Sequence, residues 1–184
     1  MLQDNLLQAP SARKIQHPGP VSPVRIQYLQ ARKGRHVRLT LRPGFSLYDA
    51  LVKPLAQLGI KSASTTILSC QFRSLKYCVA PPDPNKEVVA AYSPPIDAGE
   101  SMMIFGNATI GKNTTGRPIV HCHAAVRTEA GHIKGGHILA DQCIVGALGG
   151  AVFVTSLDDF ELRVSFDPET NIPLLQPRLE SCYE

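Results

Sequence analysis

The stretch PIVHCHAAVRTEAGHIKGGHIL, residues 118–139, predicts a β-hairpin that carries histidines on one face. Side chains alternate across a strand, so residues two positions apart share a face. One face of the first strand is apolar and is expected to pack on the core; it carries Val120, Cys122, Ala124 and Val126. The opposite face is more polar and carries His121, His123, Ala125 and Arg127. The stretch therefore indicates a half-buried antiparallel pair with imidazoles on its outer side.

The length of the turn decides which residues of the second strand lie opposite these histidines. A three-residue loop, Glu129 to Gly131, places glycine at the last position, which favours the left-handed conformation in such loops. Thr128 then pairs with His132, and His123 lies directly opposite His137. A two-residue loop would reverse the faces, so the prediction depends on loop length.

This register predicts a metal site on His121, His123 and His137. Opposed residues have Cβ atoms about 5 Å apart, which is close enough to share one ion. Three imidazole nitrogens leave a position open for water or substrate, as in catalytic zinc sites. Zinc is the expected metal, although imidazole ligands also suit nickel, copper and iron. The alternative is that these histidines are hydrogen-bonded within a sheet or at a subunit interface.

The face of the hairpin on which a residue lies decides whether it could belong to the same site as the three histidines. Cys122 points to the core, and His132 falls on the opposite face of the hairpin, so neither is expected to bind the same ion. Arg127 shares the histidine face and is a candidate for holding a carboxylate or phosphate anion of a substrate. The alternative for Arg127 is a solvated arginine at a strand end.

Outward from the hairpin, the sequence predicts many strands and one clear helix. A helix is expected over 45–59, with Ser46 as its N-cap and Gly59 at its end, and with a kink or break at Pro54. Loops are expected at 81–87 and 94–99. The predicted strands lie at 24–29, 36–41, 62–80, 88–93, 101–111, 143–157 and 160–167. The fold class is therefore α+β, with a mainly antiparallel or mixed β-sheet and one or two helices.

Charge and proline content divide the chain unevenly. Net charge is +4, and residues 1–42 hold eight Lys or Arg and one Asp, whereas the remainder holds eleven basic and fourteen acidic residues. Prolines interrupt residues 1–23, so we expect a flexible basic arm there, a single domain over 24–175, and a tail over 176–184. A basic arm on a mildly acidic body suggests DNA as a partner, and a solvated tail is the alternative.

The remaining composition points to a cytoplasmic protein. No apolar run approaches the length of about 20 residues that crosses a bilayer, and the first residues lack the pattern of a secretory signal. No membrane partner is therefore expected. The five cysteines form no CxxC pair, and they are predicted to be reduced, buried thiols.

Three segments together resemble the plants and prokaryotes conserved domain, over roughly residues 36–166. The motifs that carry the resemblance are G-x-P-x-x-H-x-H at 116–123 and GGHI at 135–138; the segments are LRPGFSLYDALVKPLAQLGIKSASTTILS, ESMMIFGNATIGKNTTGRPIVHCHAAV and GGHILADQCIVGALGGAVFVT. The resemblance implies an α/β fold and a homotrimer. It also implies kinship with acetolactate decarboxylases, whose zinc-binding HxH pair and later histidine correspond to His121, His123 and His137.

In plants this domain accompanies AT-hook motifs that contact DNA. The chain has KGRH at 33–36 and GRP at 116–118, and neither is a complete RGRP core. Three functional hypotheses result. The first is a metal-bearing homotrimeric assembly or regulatory module. The second is a DNA-binding protein that uses its basic N-terminal residues. The third is a zinc-dependent lyase that resembles acetolactate decarboxylase and acts on a small oxoacid.

Overall fold

A computed structural model describes residues 15–179 of the chain, and strands account for most of its regular structure. One helix, α1 (Leu47–Gln57), lies in this described part. The strands of the same part are β1 (His36–Leu41), β2 (Ala63–Cys78), β3 (Ile96–Lys112), β4 (Pro118–Thr128), β5 (Ile133–Ile138), β6 (Ile144–Val145), β7 (Gly150–Ser156), β8 (Glu161–Asp167) and β9 (Ile172–Arg178). The predicted α+β class with a mostly antiparallel, mixed sheet is confirmed.

Strand β2 closes part of the sheet into a ring because it pairs along both of its edges. One edge pairs with β3. The other edge pairs in turn with β7, β6 and β5. Since β3 also pairs with β4, and β4 with β5, the strands β2, β3, β4 and β5 form a closed set. The pairing of β3 with β8 is parallel, whereas the other strand pairs of the described chain are antiparallel.

Helix α1 packs its apolar face on the core beside the sheet. Ser46 caps the helix, since its side chain accepts a hydrogen bond from the backbone N–H of Asp49 at 3.0 Å. The buried helix residues are Leu47, Ala50, Leu51 and Leu55. Of the kink or break expected at Pro54, the break does not occur, because the helix continues to Gln57. Proline removes one backbone hydrogen bond and crowds the carbonyl one turn earlier, whereas burial of Leu51 and Leu55 holds the turns on either side.

A bulge in the sheet exposes a patch of apolar side chains on its outer face. Ser69 has φ 45°, and both Leu68 and Ser69 point outward, between the buried residues Ile67 and Cys70. Two consecutive residues of the adjacent β3 point outward beside them. The large side chains exposed here, which we call the bulge patch, are Leu68, Ile104, Phe105 and Phe153. The sheet thus presents an apolar surface to solvent at this position.

The strand predictions at 24–29 and 88–93 are wrong. Residues 24–29 pair with no strand of the described chain, and a β-forming composition does not create a ladder without a partner. In the second segment the backbone is paired with loops instead, since Val89 N–H donates to Thr170 O and Ser93 N–H donates to Val79 O. The loop predicted over 94–99 ends early, because β3 begins at Ile96.

Strand β9 was not predicted, and it extends three residues beyond the expected domain end at 175. Its prolines, Pro173 and Pro177, argue against a strand when only the sequence is considered. Proline cannot donate to a ladder and is confined to positions such as edge strands. β9 is the last strand in the order of the sheet, so these prolines are tolerated there. The rest of the predicted tail, 180–184, lies outside the described residues.

Residues 15–25 contact the turn between β8 and β9. The Glu169 carboxylate accepts hydrogen bonds from His17 Nδ1 at 2.7 Å, from the backbone N–H of Ser22 at 2.8 Å, and from Arg25 Nη1 at 2.6 Å. The hydrogen bond from Arg25 is the main reason why the pKa of Glu169 falls to about 2. The described part of the expected flexible arm is therefore attached to the body, whereas residues 1–14 lie outside the described part.

Helix α1 falls short of the length and hydrophobicity that a membrane crossing requires, and the described residues contain no other helix that would meet them.

Four of the five cysteines are described, and each is buried with a free thiol: Cys70, Cys78, Cys122 and Cys143. Burial raises the pKa of both Cys70 and Cys122 to about 12, so these thiols stay protonated near neutral pH.

Candidate metal centre

The hairpin of β4 and β5 has the register that its three-residue turn predicts. His123 is paired with His137 across the ladder. The backbone N–H of Thr128 donates to His132 O at 2.9 Å, which places these two residues opposite each other at the turn. Gly131 has φ 83°, the left-handed conformation expected for the last loop residue. The turn therefore sets which side chains face each other.

The three predicted histidines converge on one point of the outer face. Nε2 of His121 lies 3.1 Å from Nε2 of His123. The ring centroid of His137 lies 4.8 Å from that of His121 and 5.4 Å from that of His123. One nitrogen from each ring lies within 4.8 Å of the others. The structure brings together all three residues that the sequence proposed as ligands.

Two glycines allow β5 to lie close to its neighbours at this point. A Cβ atom at Gly135 would lie 2.5 Å from the carbonyl oxygen of Ala124 on β4. At Gly136 it would lie 2.4 Å from the carbonyl oxygen of Cys78 on β2. Larger residues at either position would push β5 outward. The glycine pair therefore positions His137 against the two histidines of β4.

Burial keeps two of the imidazoles neutral at pH 7. It lowers the pKa of His137 to about 4, and the nearby His121 and His123 lower it further. Burial also lowers the pKa of His121, and His123 adds to the effect. Histidine binds a metal in its neutral form. The cluster therefore meets one requirement for metal binding without first having to lose protons from these two rings.

The residues present fit a zinc ion on two further counts. Tetrahedral zinc with Zn–N bonds of about 2.0–2.1 Å places neighbouring nitrogens about 3.3 Å apart, close to the spacing between His121 and His123. In addition, Nδ1 of His137 is a buried atom without a hydrogen-bond partner. Buried polar atoms are normally paired, and an unpaired one in a native structure often marks a functional site.

The other candidate residues of the sequence lie away from the cluster. Cys122 is fully buried and points to the core. His132 lies at the turn and is not one of the converging imidazoles. Arg127 also lies near the turn, where its Nη2 is 3.7 Å from the position of a Cβ at Gly131. Arg127 lies four positions after His123 on the strand, about 13 Å along the chain. The structure does not bring Arg127 to the three histidines.

Three residues beside the cluster were missed by the sequence analysis. The ring of Tyr92 lies 5.0 Å from that of His137 and is tilted by 38°. On β3, Asn107 is paired with His123 and Thr109 with His121. The segment KNTTG leads from β3 into the turn before β4. That turn sets the register of β3 against β4, so it was the sequence signal that could have placed Asn107 and Thr109 beside the histidines. No sequence signal predicted Tyr92, because it belongs to a long loop without periodic structure.

A cleft of about 360 Å³ adjoins His137. Its lining includes Tyr48, Ile119, Val120, His137, Leu139 and Asp141. Sites for small molecules begin at about 300 Å³. Since His137 belongs to both the cleft and the histidine cluster, a small molecule in the cleft would lie beside that cluster.

Comparison with known proteins gives a family match over most of the chain. The Plants and Prokaryotes Conserved (PCC) domain matches residues 28–158. This range contains the hairpin, the three histidines and the strands that surround them. No curated protein matches the chain in sequence.

Several solved structures share the fold at low sequence identity. A metal-containing protein from Archaeoglobus fulgidus has a TM-score of 0.60 and 20% identity, covering 82% of this chain and 98% of its own. A "Putative DNA-binding protein" from Ralstonia eutropha has a TM-score of 0.59 and 19% identity, covering 76% and 89%. A plant- and prokaryote-conserved (PPC) protein from Pyrococcus horikoshii has a TM-score of 0.56 and 18% identity, covering 80% and 93%.

Proposed function

The chain belongs to the Plants and Prokaryotes Conserved (PCC) domain family, and from this premise we propose that it is a metal-binding assembly or regulatory module. His121, His123 and His137 are the proposed ligands, and zinc is the proposed metal. The convergence of the three imidazoles on one face carries the proposal. The metal-containing protein from Archaeoglobus fulgidus, which shares the fold, adds support.

Three features of the cluster distinguish it from a chance grouping of surface histidines. Two of its rings are held neutral by burial. The glycines of β5 allow the close approach of the strands. Nδ1 of His137 has no partner within the described chain. A site with three protein ligands keeps a coordination position open, and bound zinc would act there as a Lewis acid toward an oxygen ligand.

Titration calorimetry of the chelator-treated protein with zinc tests the proposal. We expect about one zinc per chain, and we expect His121→Ala, His123→Ala and His137→Ala each to remove most of the binding. His132→Ala is the matched control, since His132 belongs to the same hairpin but not to the cluster. Binding that is unchanged in all of the variants, or that is lost equally in His132→Ala, would contradict the proposed site.

Assembly as a homotrimer is part of the proposal. The bulge patch supplies an apolar surface that a monomer would leave in water, since Phe105 is 50% exposed and Phe153 is 48% exposed. Contiguous apolar surface of this kind commonly marks a protein–protein contact. The patch lies on the same face of the sheet as the histidines, because Phe105 is two residues from Asn107, which is paired with His123.

A second candidate function is that of a zinc-dependent lyase similar to acetolactate decarboxylase, with a small oxoacid as substrate. The observation that favours it is the cleft beside His137. Its lining contains no arginine or lysine, and Arg127 lies at the hairpin turn. Release of carbon dioxide from acetolactate by the zinc-loaded protein, but not by His137→Ala, would support this function. No release by either protein would reject it.

DNA is a third candidate partner, and the fold neighbour from Ralstonia eutropha is the reason to test it. Within residues 15–42, Arg25, Arg32 and Arg35 form ion pairs with acidic residues of the body. These pairs reduce the positive charge that is free for phosphates. Deletion of residues 1–35 should abolish any salt-sensitive DNA binding if the arm is the contact. Retention of binding after the deletion would exclude the arm.

A further inference from the structure

Strand β1 leaves one edge of the sheet without a partner strand. It is the first strand in the order of the sheet, and among the described residues it pairs with β7 alone. The carbonyl of Arg35 accepts a hydrogen bond from the backbone N–H of Ser156 at 3.0 Å, so the backbone groups of every second residue from Arg35 onward point to β7. The backbone groups of His36, Arg38 and Thr40 therefore point to the free edge.

A groove of about 300 Å³ lies at this edge, between β1 and α1. Its lining includes Leu39, Thr40, Arg42, Phe45, Ala50 and Lys53. Leu39 packs partly against the core, whereas the backbone groups of Thr40 face the free edge. An extended peptide can add as a further strand to an exposed sheet edge, where pockets accept its alternate side chains. The edge of β1 and the adjoining groove supply both parts of such a site.

Positive charge at this edge exceeds negative charge. Lys53 forms an ion pair with Asp49 at 3.0 Å, and its Nζ lies 5.4 Å from the centre of the Phe45 ring. The guanidinium groups of Arg38 and Arg42, in contrast, form no hydrogen bond or ion pair within residues 15–179. The edge therefore has two positive charges without a partner, and an acidic segment complements them.

The same charges disfavour a second copy of β1 as the occupant of the edge. Residues 30–48 contain five Lys or Arg and no Asp or Glu. Like charges that lie opposite each other destabilise a strand pair, and basic side chains on an edge strand deter pairing between copies. An acidic segment of another protein meets no such repulsion.

We propose that β1 and α1 form a docking groove for an extended, acidic peptide segment of a partner protein. The peptide adds as a strand to the free edge, where the backbone groups of Arg38 and Thr40 hydrogen-bond its main chain. Side chains alternate across a strand, so the acidic residues of the peptide lie on the outer face beside Arg38, and the apolar residues between them point into the groove beside Leu39 and Phe45. The docking groove goes beyond the metal-binding function and does not depend on it, because its lining contains none of the three histidines.

A labelled peptide of alternating glutamate and valine, as long as the six residues of β1, tests the groove in the full chain. Fluorescence anisotropy measures its affinity, and a peptide of alternating lysine and valine is the charge control. We expect saturable binding of the acidic peptide alone, with the same affinity in zinc-loaded and chelator-treated protein. Equal affinity for the two peptides, or no saturable binding of the acidic peptide, would overturn the proposal.

Hydrogen exchange at single amides distinguishes strand addition from charge attraction. The amides of Val37 and Leu39 face β7 and should be protected without peptide. The amides of Arg38 and Thr40 should become protected only when the peptide is bound. Unchanged exchange at Arg38 and Thr40 in the presence of saturating peptide would overturn strand addition and with it the proposal.

Thr40→Pro removes one donor of the free edge. It leaves the ladder with β7 intact, because proline is tolerated on an edge strand where its missing N–H would face solvent. We expect the Kd of the acidic peptide to rise about tenfold, as for the loss of a hydrogen bond and a close contact. Thr40→Ala keeps the N–H and is the matched control, which should bind as the unsubstituted protein does. Unchanged affinity in Thr40→Pro would count against the groove.

Charge reversal is a second test, and it does not depend on the folding of the proline variant. Arg42→Glu should weaken the acidic peptide and strengthen the lysine peptide. Arg117→Glu makes the same change in net charge at an exposed position between β3 and β4, and it should alter neither affinity. Equal effects of the two variants would overturn the proposal. Duplex DNA that binds more tightly than the acidic peptide, and that is lost in Arg42→Glu but kept in Thr40→Pro, would identify a phosphate-binding surface instead.

Discussion

At the residue scale, His137 is a residue of the described chain whose side chain is not fully hydrogen-bonded. Its Nδ1 is the buried side-chain nitrogen that lacks a hydrogen bond within residues 15–179. Leaving such a group unpaired costs about 1–3 kcal/mol. Natural proteins keep such a destabilising group where it serves a function, and metal binding is the function proposed for His137. The same residue contacts Tyr92 on one side and His121 on the other.

His137→Leu tests this balance between stability and function. In chelator, we expect the free energy of unfolding to rise by about 1 kcal/mol, because the unpaired nitrogen is removed. With excess zinc, the unsubstituted protein should become the more stable of the two, since only it gains binding energy in the folded state. Urea denaturation with and without zinc measures both effects. A variant that is less stable under both conditions, with a zinc-independent difference, would contradict the argument.

At the element scale, the hairpin of β4 and β5 was predictable because local rules govern it. Alternation assigns the faces, and the turn ending in Gly131 sets the register. Elements that depend on distant partners were not predictable. The bulge at Ser69 requires an adjacent strand that bends with it. β9 is tolerated only because it lies at an edge, and the loop that brings Tyr92 to His137 follows no periodic rule.

Gly136→Ala tests the role of strand spacing in the candidate metal centre. The new Cβ would overlap the carbonyl oxygen of Cys78, so β5 must move away from β2. We expect a loss of about 1–3 kcal/mol in the free energy of unfolding, as for other overpacked sites. Zinc affinity should fall as well, because His137 moves with its strand.

Gly44→Ala is a useful comparison for that variant. Gly44 has φ 82° but no atom within 4 Å of its added Cβ, so it should cost stability through backbone strain alone. Zinc affinity should be unaffected, since Gly44 lies far along the chain from the hairpin. If Gly136→Ala bound zinc as tightly as the unsubstituted protein, close strand approach would not be what positions His137.

At the scale of the whole molecule, the outer face combines the proposed metal site with the bulge patch. A contact between copies through the patch would bring the histidines of each copy close to the subunit boundary. The inner face is occupied by α1 and the core, so it is not available for assembly. The resemblance to the family implied a trimer, and the patch is the surface that we propose for its interface.

Phe105→Lys combined with Leu68→Lys tests the role of the bulge patch. Both side chains are exposed, so the folded monomer should tolerate them, whereas burial of two lysines in an interface is strongly unfavourable. Light scattering after size-exclusion chromatography should change from the mass of a trimer to that of a monomer. Ile133→Lys, at an exposed position of the hairpin end, is the control. Unchanged mass in the double variant would exclude the patch as the interface.

Attachment of residues 15–25 to the body depends on the Glu169 carboxylate. Glu169→Gln should speed hydrogen exchange at the Ser22 amide, because that N–H bonds to Oε2 of Glu169 and Arg25 loses its charged partner. The pKa of Glu169 is lowered, so its contribution is complete above the ordinary value near 4.3 and is lost as pH falls toward about 2. Equal exchange at Ser22 in both proteins at pH 7 would contradict this.

The central claim is that three imidazoles bind one metal ion, and X-ray absorption at the zinc edge tests it most directly. With one equivalent of zinc per chain, the account predicts three imidazole nitrogens at about 2.0–2.1 Å and an oxygen as the remaining ligand. Scattering from sulfur at about 2.3 Å, or from oxygen alone, would contradict it. The first of these results would place Cys122 or another thiol at the metal, and the second would leave His121, His123 and His137 without a shared ion.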